Sequence, residues 1–219
     1  MSINVLNLTE YFNIEDDLIV FEIGSNTGFT TQIFLDNFPN IKIYCFEPDP
    51  RCIEEFKKTI NDSRVTLIEA AVSNFDGSAD FYLSSGYRPF RKEKKLHIHS
   101  SSIKKPKNHL LTHPWIKFDE NIIVPTVRLD TWCEDNSIYG IDFIWADVQG
   151  AEEELIKGGI DILNNTKYFL TEYSNKELYE GQITKPEIRG LLPQFKVIKK
   201  YSKDVLFRNI NLTVKRLNK

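Results

Sequence analysis

The sequence predicts an α/β fold, a doubly wound and mostly parallel sheet that ends in an antiparallel hairpin. Residues 18–23 begin with four apolar β-forming residues in succession, which is typical of a strand buried on both faces of a parallel sheet. A glycine-containing loop and a stretch of helical spacing follow. Residues 41–46 form a second apolar run, which completes a right-handed βαβ unit. Residues 195–201 and 204–208 are separated by two residues, which favours the terminal hairpin.

The remaining elements follow from apolar spacing and turn residues. Helical spacing predicts helices over residues 4–12, 29–38, 50–60 and 185–192, and one that ends near residue 163. β-prone runs predict strands over residues 65–72, 79–83, 141–147 and 168–173. A turn signal at residues 74–77 pairs the strand of residues 79–83 with the strand before it. The tail from residue 209 is expected at the surface.

Composition favours one domain over residues 1–219, because 41% hydrophobic residues support a sizeable core. No apolar run approaches the ~20 residues that a membrane span needs, and no signal peptide is evident. The three cysteines are sparse and odd in number, which argues against a disulfide framework, so we expect a cytoplasmic protein. The net charge of −3 argues against DNA as a partner.

The loop after the first strand predicts a small-molecule pocket. It reads Glu22-x-Gly24-x-x-x-Gly28, without the middle glycine of a dinucleotide fingerprint or the lysine of a P-loop. Glycines let the backbone turn and approach a ligand closely at the carboxyl end of a parallel strand. The acid would repel phosphate but attract an ammonium group, such as that of S-adenosylmethionine (SAM).

Glu47 ends the second strand, some two dozen positions after the glycine loop. In nucleotide-binding βαβ units an acid at this place accepts hydrogen bonds from a ribose diol, so we predict that Glu47 binds ribose. Asp49 and Pro50 are also suited to starting the next helix. The two interpretations are compatible.

Several of these motifs resemble the FkbM family of SAM-dependent methyltransferases. The family's first motif is an acid, a small apolar residue and then G-x-N-x-G, which residues 22–28 match with Asn26 at the asparagine. Phe46-Glu47-Pro48 matches the family's F-E-P. Residues 147–152 read D-V-Q-G-A-E where the family has D-V-E-G-A-E, and Trp145 stands where a lysine is usual.

The resemblance implies the class I SAM-dependent methyltransferase (Rossmann-like) fold and SAM as cofactor. It also implies transfer of a methyl group to a hydroxyl of a sugar, glycan or related polyol. In this architecture the end of the third strand lies beside the adenine, which makes Ala70 a candidate contact. The predicted cofactor-binding residues are Glu22, Gly24, Asn26, Gly28, Glu47, Ala70 and Asp147.

Asp147 and Glu172 are the predicted catalytic residues, because each ends a predicted strand as Glu22 and Glu47 do. In a doubly wound sheet the strand of Asp147 lies beside the first strand. Asp147 would orient or deprotonate the acceptor hydroxyl or hold the ammonium of SAM, although it also suits a helix cap. Glu172 would bind the acceptor. A divalent cation is compatible with this pair but is not implied.

Residues 84–122 form a basic insert, which we interpret as a substrate-recognition or lid segment. Eight Lys or Arg lie between residues 88 and 107, and all four histidines of the chain fall in the insert. His97 and His99 would share a face of an extended segment, but no carboxylate or thiol completes a metal site there, so no metal is predicted. The predicted substrate contacts are Ser101, Ser102, Asn175, Tyr179 and Gln182.

The predicted function is therefore SAM-dependent O-methylation of a small-molecule or glycan acceptor. The cations of the insert would suit an anionic sugar or a lipid-linked one. One alternative is a nucleic-acid (RNA) methyltransferase that uses residues 88–107 as a phosphate-binding track. The other is a SAM-binding module without catalytic activity, which the departures at Gln149 and Trp145 leave open.

Overall fold

The computed structural model describes residues 5–89 and 96–212. The strands within these ranges are β1 (Leu18–Ile23), β2 (Ile41–Phe46), β3 (Val65–Ile68), β4 (Ala71–Val72), β5 (Gly77–Gly86), β6 (Ile116–Val127), β7 (Ile141–Ala146), β8 (Thr166–Glu172), β9 (Phe195–Lys200) and β10 (Asp204–Asn209). The α-helices are α1 (Phe29–Asn37), α2 (Pro50–Thr59), α3 (His109–Thr112), α4 (Leu129–Asp135), α5 (Glu152–Gly158), α6 (Ile160–Asn164) and α7 (Lys185–Leu191). A 3₁₀ helix, Val5–Glu10, precedes β1.

A seven-stranded sheet in the order β3-β2-β1-β7-β8-β10-β9 forms the centre of the fold. Its first five strands are parallel, and β10 runs antiparallel to both β8 and β9. From β1 the chain adds β2 and β3 on one side of the sheet and then β7 and β8 on the other side. In a doubly wound sheet the crevice opens at such a switch point, here at the carboxyl ends of β1 and β7. The predicted fold class and the terminal hairpin are confirmed.

Hydrophobic side chains cover both faces of this sheet, as alternation along each buried strand requires. On one face Phe21 of β1 and Ile144 of β7 pack with Leu155 of α5. On the other face Val20 and Phe143 pack with residues of α1, α2 and the 3₁₀ helix. Neighbouring residues of one strand thus point into different cores.

The long third strand of the prediction is wrong. Pairing with β2 ends at Ile68, and residues 71–72 instead pair with β6 in a separate three-stranded sheet of order β4-β6-β5. β5 pairs antiparallel with β6 rather than with β3. The turn signal at residues 74–77 thus did not determine the partner of β5, which pairs with β6 some forty residues away. Sheet pairing depends on tertiary contacts more than on local propensity.

The predicted limits of the basic insert are also wrong at both ends. Ser84 to Gly86 and Ile116 onward are strand residues, with Gly86 opposite Ile116. Most residues of β6 before Val124 are solvent-exposed or half-buried, so charges interrupt its apolar period. Arg91, Lys92, Lys94 and Lys95 of the predicted basic run lie outside the described residues.

Smaller differences concern the helices and the chain ends. The helix predicted to end near residue 163 is two helices, α5 and α6, which meet at Gly158 and Gly159. Gly158 packs so closely that an added Cβ would lie 1.9 Å from Ser73 O. Phe29, predicted on the apolar side of α1, is 76% exposed.

At the amino end a short 3₁₀ helix replaces the helix predicted over residues 4–12, whose first residue, Asn4, lies outside the described residues. At the other end the prediction of a surface tail from residue 209 is wrong for Asn209, which is a buried strand residue, and residues 213–219 of that tail lie outside the described part. Across residues 5–89 and 96–212, the helices include none with the length and apolar character that crossing a membrane requires.

Candidate active site

The glycine loop joins the carboxyl ends of β1, β2 and β7. The N–H groups of Gly24 and Ser25 donate to Phe46 O at the end of β2, at 2.8 and 3.1 Å. Gly24 has a φ of +84°, and a Cβ there would lie 2.1 Å from Asp147 O. Only glycine lets the loop pass this close to the end of β7.

Glu47 is held at the end of β2 by two backbone N–H groups. Its Oε2 accepts from Asn26 N at 2.7 Å and its Oε1 from Asp49 N at 2.8 Å. Each oxygen keeps a second lone pair for a ligand. Burial raises the pKa of Glu47 to about 7, and the N–H groups of Asp49 and Asn26 oppose that rise. Asp49 also caps α2 through Arg51 N, so the cap interpretation of Asp49 is confirmed.

A first cavity opens beside Glu47 and has one polar and one apolar side. Gly24, Asn26, Glu47, Ala70 and Asp147, five of the predicted cofactor-binding residues, line it. Its apolar wall consists of Phe46, Ala71, Val72, Phe81, Ile98, Ile103 and Val148. A flat apolar ring and a hydroxylated ring could therefore lie side by side here.

Glu22 and Gly28 do not line this cavity. The Glu22 carboxyl is 2% exposed beneath α1, where Thr31 Oγ1 donates to its Oε2 at 2.6 Å. Burial raises the pKa of Glu22 to about 8, so at pH 7 the group is largely neutral. A Cβ on Gly28 would lie 2.6 Å from the Ile60 side chain, which gives this glycine a packing role between α1 and α2. Strand alternation could have revealed the position of Glu22, since it shares a face of β1 with Val20.

A second, larger cavity of about 770 Å³ lies next to the first. The described part of the basic insert supplies much of its wall, including all four histidines of the chain. Its lining residues include Arg88, His97, His99, Ser100, His109, His113, Trp115, Asp147, Gln149, Glu172 and Lys203. Sequence patterns did not identify the histidines or Trp115 as a group, because they are brought together only when the insert folds over the ends of β7 and β8.

The two cavities meet at Asp147, Gln149 and His99, which line both. The Gln149 amide nitrogen donates to Asp147 Oδ1 and, at 3.2 Å, to Glu172 Oε2. Burial and mutual repulsion raise the pKa of Glu172, and burial also raises that of Asp147 at the floor of the cleft. The amide thus bridges two carboxyl groups that also interact directly with each other.

Comparison with known proteins identifies this architecture. The family model described as Methyltransferase FkbM domain matches residues 22–208. The chain belongs to the FkbM methyltransferase family. It is 41% identical over 201 residues to the 2-O-methyltransferase NoeI of Sinorhizobium fredii (strain NBRC 101917 / NGR234), a match that covers 90% of this chain and 81% of that protein. This FkbM family member is therefore a SAM-dependent methyltransferase.

A solved structure described as a "putative rRNA-methylase" from Clostridium thermocellum has the same fold. It matches with a TM-score of 0.51 at 10% identity, over 96% of this chain and 98% of that one. At such low identity the likeness shows the fold alone.

The position of Trp145 explains how this FkbM methyltransferase departs from the family motif. Trp145 packs edge-on against Phe34 and Phe143 in the core beneath α1, away from Gln149. In the sheet it is the register partner of Glu22. The two departures are thus in different surroundings, and only Gln149 contacts the site.

The predicted substrate contacts lie in three different places. Ser101 and Ser102 line the first cavity, where Ser101 Oγ donates to Asp49 and Ser102 Oγ to Gln149 O, at 3.1 and 2.7 Å. Tyr179 is 1% exposed, and its hydroxyl donates to Ser100 O at 2.7 Å and lies 3.1 Å from Gln149 Oε1. Tyr179 therefore supports the wall from behind.

Asn175 and Gln182 are not among the residues that line either cavity. Asn175 is exposed, and Gln182 Oε1 accepts from Leu178 N at 3.0 Å.

The histidines of the second cavity are in contact with one another and with aromatic rings. His97 lies 4.9 Å from Trp115 and His109 lies 5.2 Å from His113, measured between ring centroids. Burial, aided by neighbouring cations, lowers the pKa of His97 and of His109 to about 4. These rings are therefore neutral at pH 7, and each presents one N–H donor and one acceptor nitrogen.

Proposed function

We propose that the first cavity binds SAM, that the second binds the acceptor, and that methyl transfer takes place where they meet. The observation that supports this most strongly is the sharing of Asp147, Gln149 and His99 by the two cavities. When bound, SAM supplies a methyl group on a positively charged sulfur. Transfer needs the acceptor oxygen in line with that methyl group, so adjoining sites with a common floor suit the reaction.

Residues of the first cavity suit the parts of SAM. The lone pairs that Glu47 retains can accept from the ribose hydroxyls, and Ala70 with its apolar neighbours can cover the adenine. Asp147 faces the same cavity and can attract the ammonium group. Because strands of both sheets line this cavity, we treat the chain as one catalytic domain.

We propose a sugar or glycan hydroxyl as the acceptor. Neutral imidazoles can donate to and accept from hydroxyls, and Trp115 offers a ring for the apolar face of a sugar. His109 Nδ1 is buried and has no hydrogen-bond partner among the described residues, which leaves it ready for a ligand hydroxyl. The relative named a 2-O-methyltransferase also acts on oxygen. Glu172, at the edge of this cavity, would bind a hydroxyl of the acceptor.

An RNA acceptor has less support from the described part of the insert. Lys104 and Lys107 form ion pairs with Glu154 and Glu177, both at 2.6 Å. Phosphates would have to compete with these acids. The three cysteines are buried free thiols, which suits the reducing cytoplasm that we propose as the location.

Isothermal titration with SAM and with S-adenosylhomocysteine tests the donor site. We expect binding by the wild-type protein and a loss of at least about 100-fold in Glu47→Ala, because the ribose loses its charged acceptor. Glu54→Ala is the matched control, since Glu54 is exposed on α2 and forms an ion pair with Lys58 at 2.8 Å. Undiminished binding by Glu47→Ala would refute the ribose assignment.

A radiolabelled methyl assay tests the acceptor site. Labelled SAM is incubated with a panel of pentosides, hexosides and deoxyhexosides, and products are examined for a mass gain of about 14 daltons, the replacement of hydrogen by methyl. Methylation of RNA but of no glycoside in the panel would contradict the sugar assignment.

A further inference from the structure

His99 occupies the position from which a side chain can act on both cavities. It belongs to the insert, yet its ring reaches the glycine loop and lines the first cavity as well as the second. Its Nδ1 lies 2.9 Å from Asn26 Oδ1. We propose that His99 is the general base that takes the proton of the acceptor hydroxyl, and that Asn26 positions it. This rests on the donor and acceptor assignments above.

Asn26 fixes which nitrogen of His99 carries the proton. Asn26 Oδ1 accepts from Thr27 N at 2.9 Å, and a backbone N–H can only donate, so this atom is the amide oxygen. His99 Nδ1 must then donate to it. The neutral imidazole therefore carries its lone pair on Nε2, which is the atom that can accept a proton.

The same asparagine links the base to the predicted ribose site. Asn26 N donates to Glu47 Oε2 at 2.7 Å, while its side chain orients His99. Asn26 adopts a φ of +51°, a conformation that asparagine tolerates better than most residues. Asn26 of the glycine loop thus holds both Glu47 of the proposed ribose site and the proposed base, His99.

Acidic and basic groups from several elements face His99. Asp147 and Glu172 come from the ends of β7 and β8, and Glu47 lies across the first cavity. Facing them are Arg88, Lys203, His97, His109 and His113. Asp147 lies near enough to interact electrostatically with His99 and would stabilise the imidazolium. His109 is buried and His97 is half-buried, and both are weakly basic, whereas His99 is open to the cleft.

Asp147 is less suited to be the base itself. One of its oxygens accepts from Gln149, and the second carboxyl group of the site, Glu172, shares the same amide. We assign Asp147 the electrostatic role that an acid beside a histidine base fulfils.

The reaction balances with these groups. The acceptor oxygen forms its bond to the methyl carbon while the carbon–sulfur bond breaks and its electron pair stays on sulfur. The hydroxyl proton passes to His99 Nε2, and the imidazolium releases it to solvent after the methylated product leaves.

The tautomer is tested by NMR, without any acceptor. Imidazole ¹⁵N shifts are recorded for the uniformly labelled protein with S-adenosylhomocysteine, and the His99 signals are assigned by their absence in His99→Gln. We expect the Nδ1–H form at neutral pH, and a mixture of tautomers in Asn26→Leu. An Nε2–H form in the wild-type protein would overturn the proposal.

The catalytic role is tested by the pH dependence of kcat with the best glycoside of the panel. We expect His99→Ala to lower kcat by about 10²- to 10⁴-fold and to remove the ionisation of one group from the acidic limb of the profile. His113→Ala is the matched control, because His113 lines only the second cavity, and it should change KM more than kcat. The proposal would be overturned if kcat of His99→Ala kept the acidic limb of the wild-type pH profile, or if this substitution lowered kcat by less than threefold.

Binding of S-adenosylhomocysteine separates this proposal from the proposed function. The kcat of His99→Ala is compared at saturating SAM, so that a change in donor affinity at this cavity-lining position does not enter the comparison. Absence of binding by the wild-type protein would defeat the donor assignment, whereas normal binding with an unchanged pH profile would defeat only the assignment of His99.

Discussion

The two cavities of this methyltransferase are built in different ways. The first is made at the ends of parallel strands, where Gly24, Glu47 and Asp147 each occupy a position that strand and loop geometry fixes. The second is walled by side chains of the insert, which come from a long connection between β5 and β6. The shape of the first cavity therefore depends on backbone geometry, and that of the second depends on which side chains the insert presents.

Gly24→Ala should show the dependence of the first cavity on the backbone, and its effect should be the largest. The new methyl group would meet Asp147 O at 2.1 Å, and the φ of +84° is unfavourable for alanine. We expect a loss of at least about 3 kcal/mol in the free energy of unfolding and no measurable binding of S-adenosylhomocysteine. Thermal melting and titration measure the two effects.

Gly190→Ala provides the control for that substitution. Gly190 lies in α7 with no atom within 4 Å of the added Cβ, so alanine should be neutral or stabilise the helix by up to about 1 kcal/mol. Equal melting temperatures for the two variants would mean that the contact between the loop and β7 is not important.

Gln149→Glu should damage the shared floor of the cavities. It replaces the amide donor between Asp147 and Glu172 with a third carboxyl group. We expect kcat/KM to fall by about 10- to 100-fold at pH 8, with partial recovery toward pH 6 as the new acid is protonated and can donate again. The ratio of mutant to wild-type kcat/KM across this pH range is the measurement.

Gln32→Glu is the matched control, because Gln32 is exposed on α1 and donates to Asp36 Oδ1. Its ratio should stay near one at every pH. A Gln149→Glu ratio that does not depend on pH would contradict the role assigned to the amide.

Glu22 should make the unliganded protein less stable as the pH rises. Its pKa is about 8 in the folded protein and about 4.3 in the unfolded chain, so the folded state binds more protons between these values. The resulting stability is fully present below about pH 4.3 and is lost as the pH rises toward 8, by at most about 1.4 kcal/mol per pH unit.

Glu22→Gln removes this contribution and should flatten the decline of melting temperature between pH 5 and pH 8. Glu47 and Glu152, whose pKa values burial raises to about 7, leave a smaller slope in the variant. The exposed substitution Glu54→Gln should keep the wild-type slope. Parallel slopes for the wild-type protein and Glu22→Gln would show that Glu22 is ionised in the fold.

Removal of divalent cations should have the smallest effect. The Gln149 amide donates to both Asp147 and Glu172, where a cation would need oxygen ligands directed at itself. We expect EDTA to leave kcat/KM within twofold. If EDTA lowers kcat/KM and Mg²⁺ or Mn²⁺ restores it, a metal ion replaces the Gln149 amide between the two carboxyl groups.

The same contrast explains what the sequence could predict. Glu47 and Asp147 were correctly predicted to lie at the first cavity. An acid that directly follows a parallel strand, next to a glycine loop, has few other positions open to it. Glu22 was predicted at the cavity but lies beneath α1. Side chains alternate between the two faces of β1, and the sequence motif does not say which face Glu22 occupies. The second sheet was missed because β6 alternates weakly and finds its partner far away.

The second cavity was less predictable. Ser101 and Ser102, predicted as substrate contacts, line the first cavity, and the histidines become neighbours only through the fold of the insert. The spacing of two between His97 and His99 does not predict that His97 contacts Trp115 or that His99 contacts Asn26. Only tertiary structure brings these residues to one wall.

A crystal structure of the complex with S-adenosylhomocysteine tests the central claim most directly. The account predicts ribose hydroxyls within hydrogen-bond distance of Glu47, and a sulfur that faces the second cavity between Asp147 and His99. A nucleoside bound away from Glu47, or a sulfur directed away from the second cavity, would contradict it.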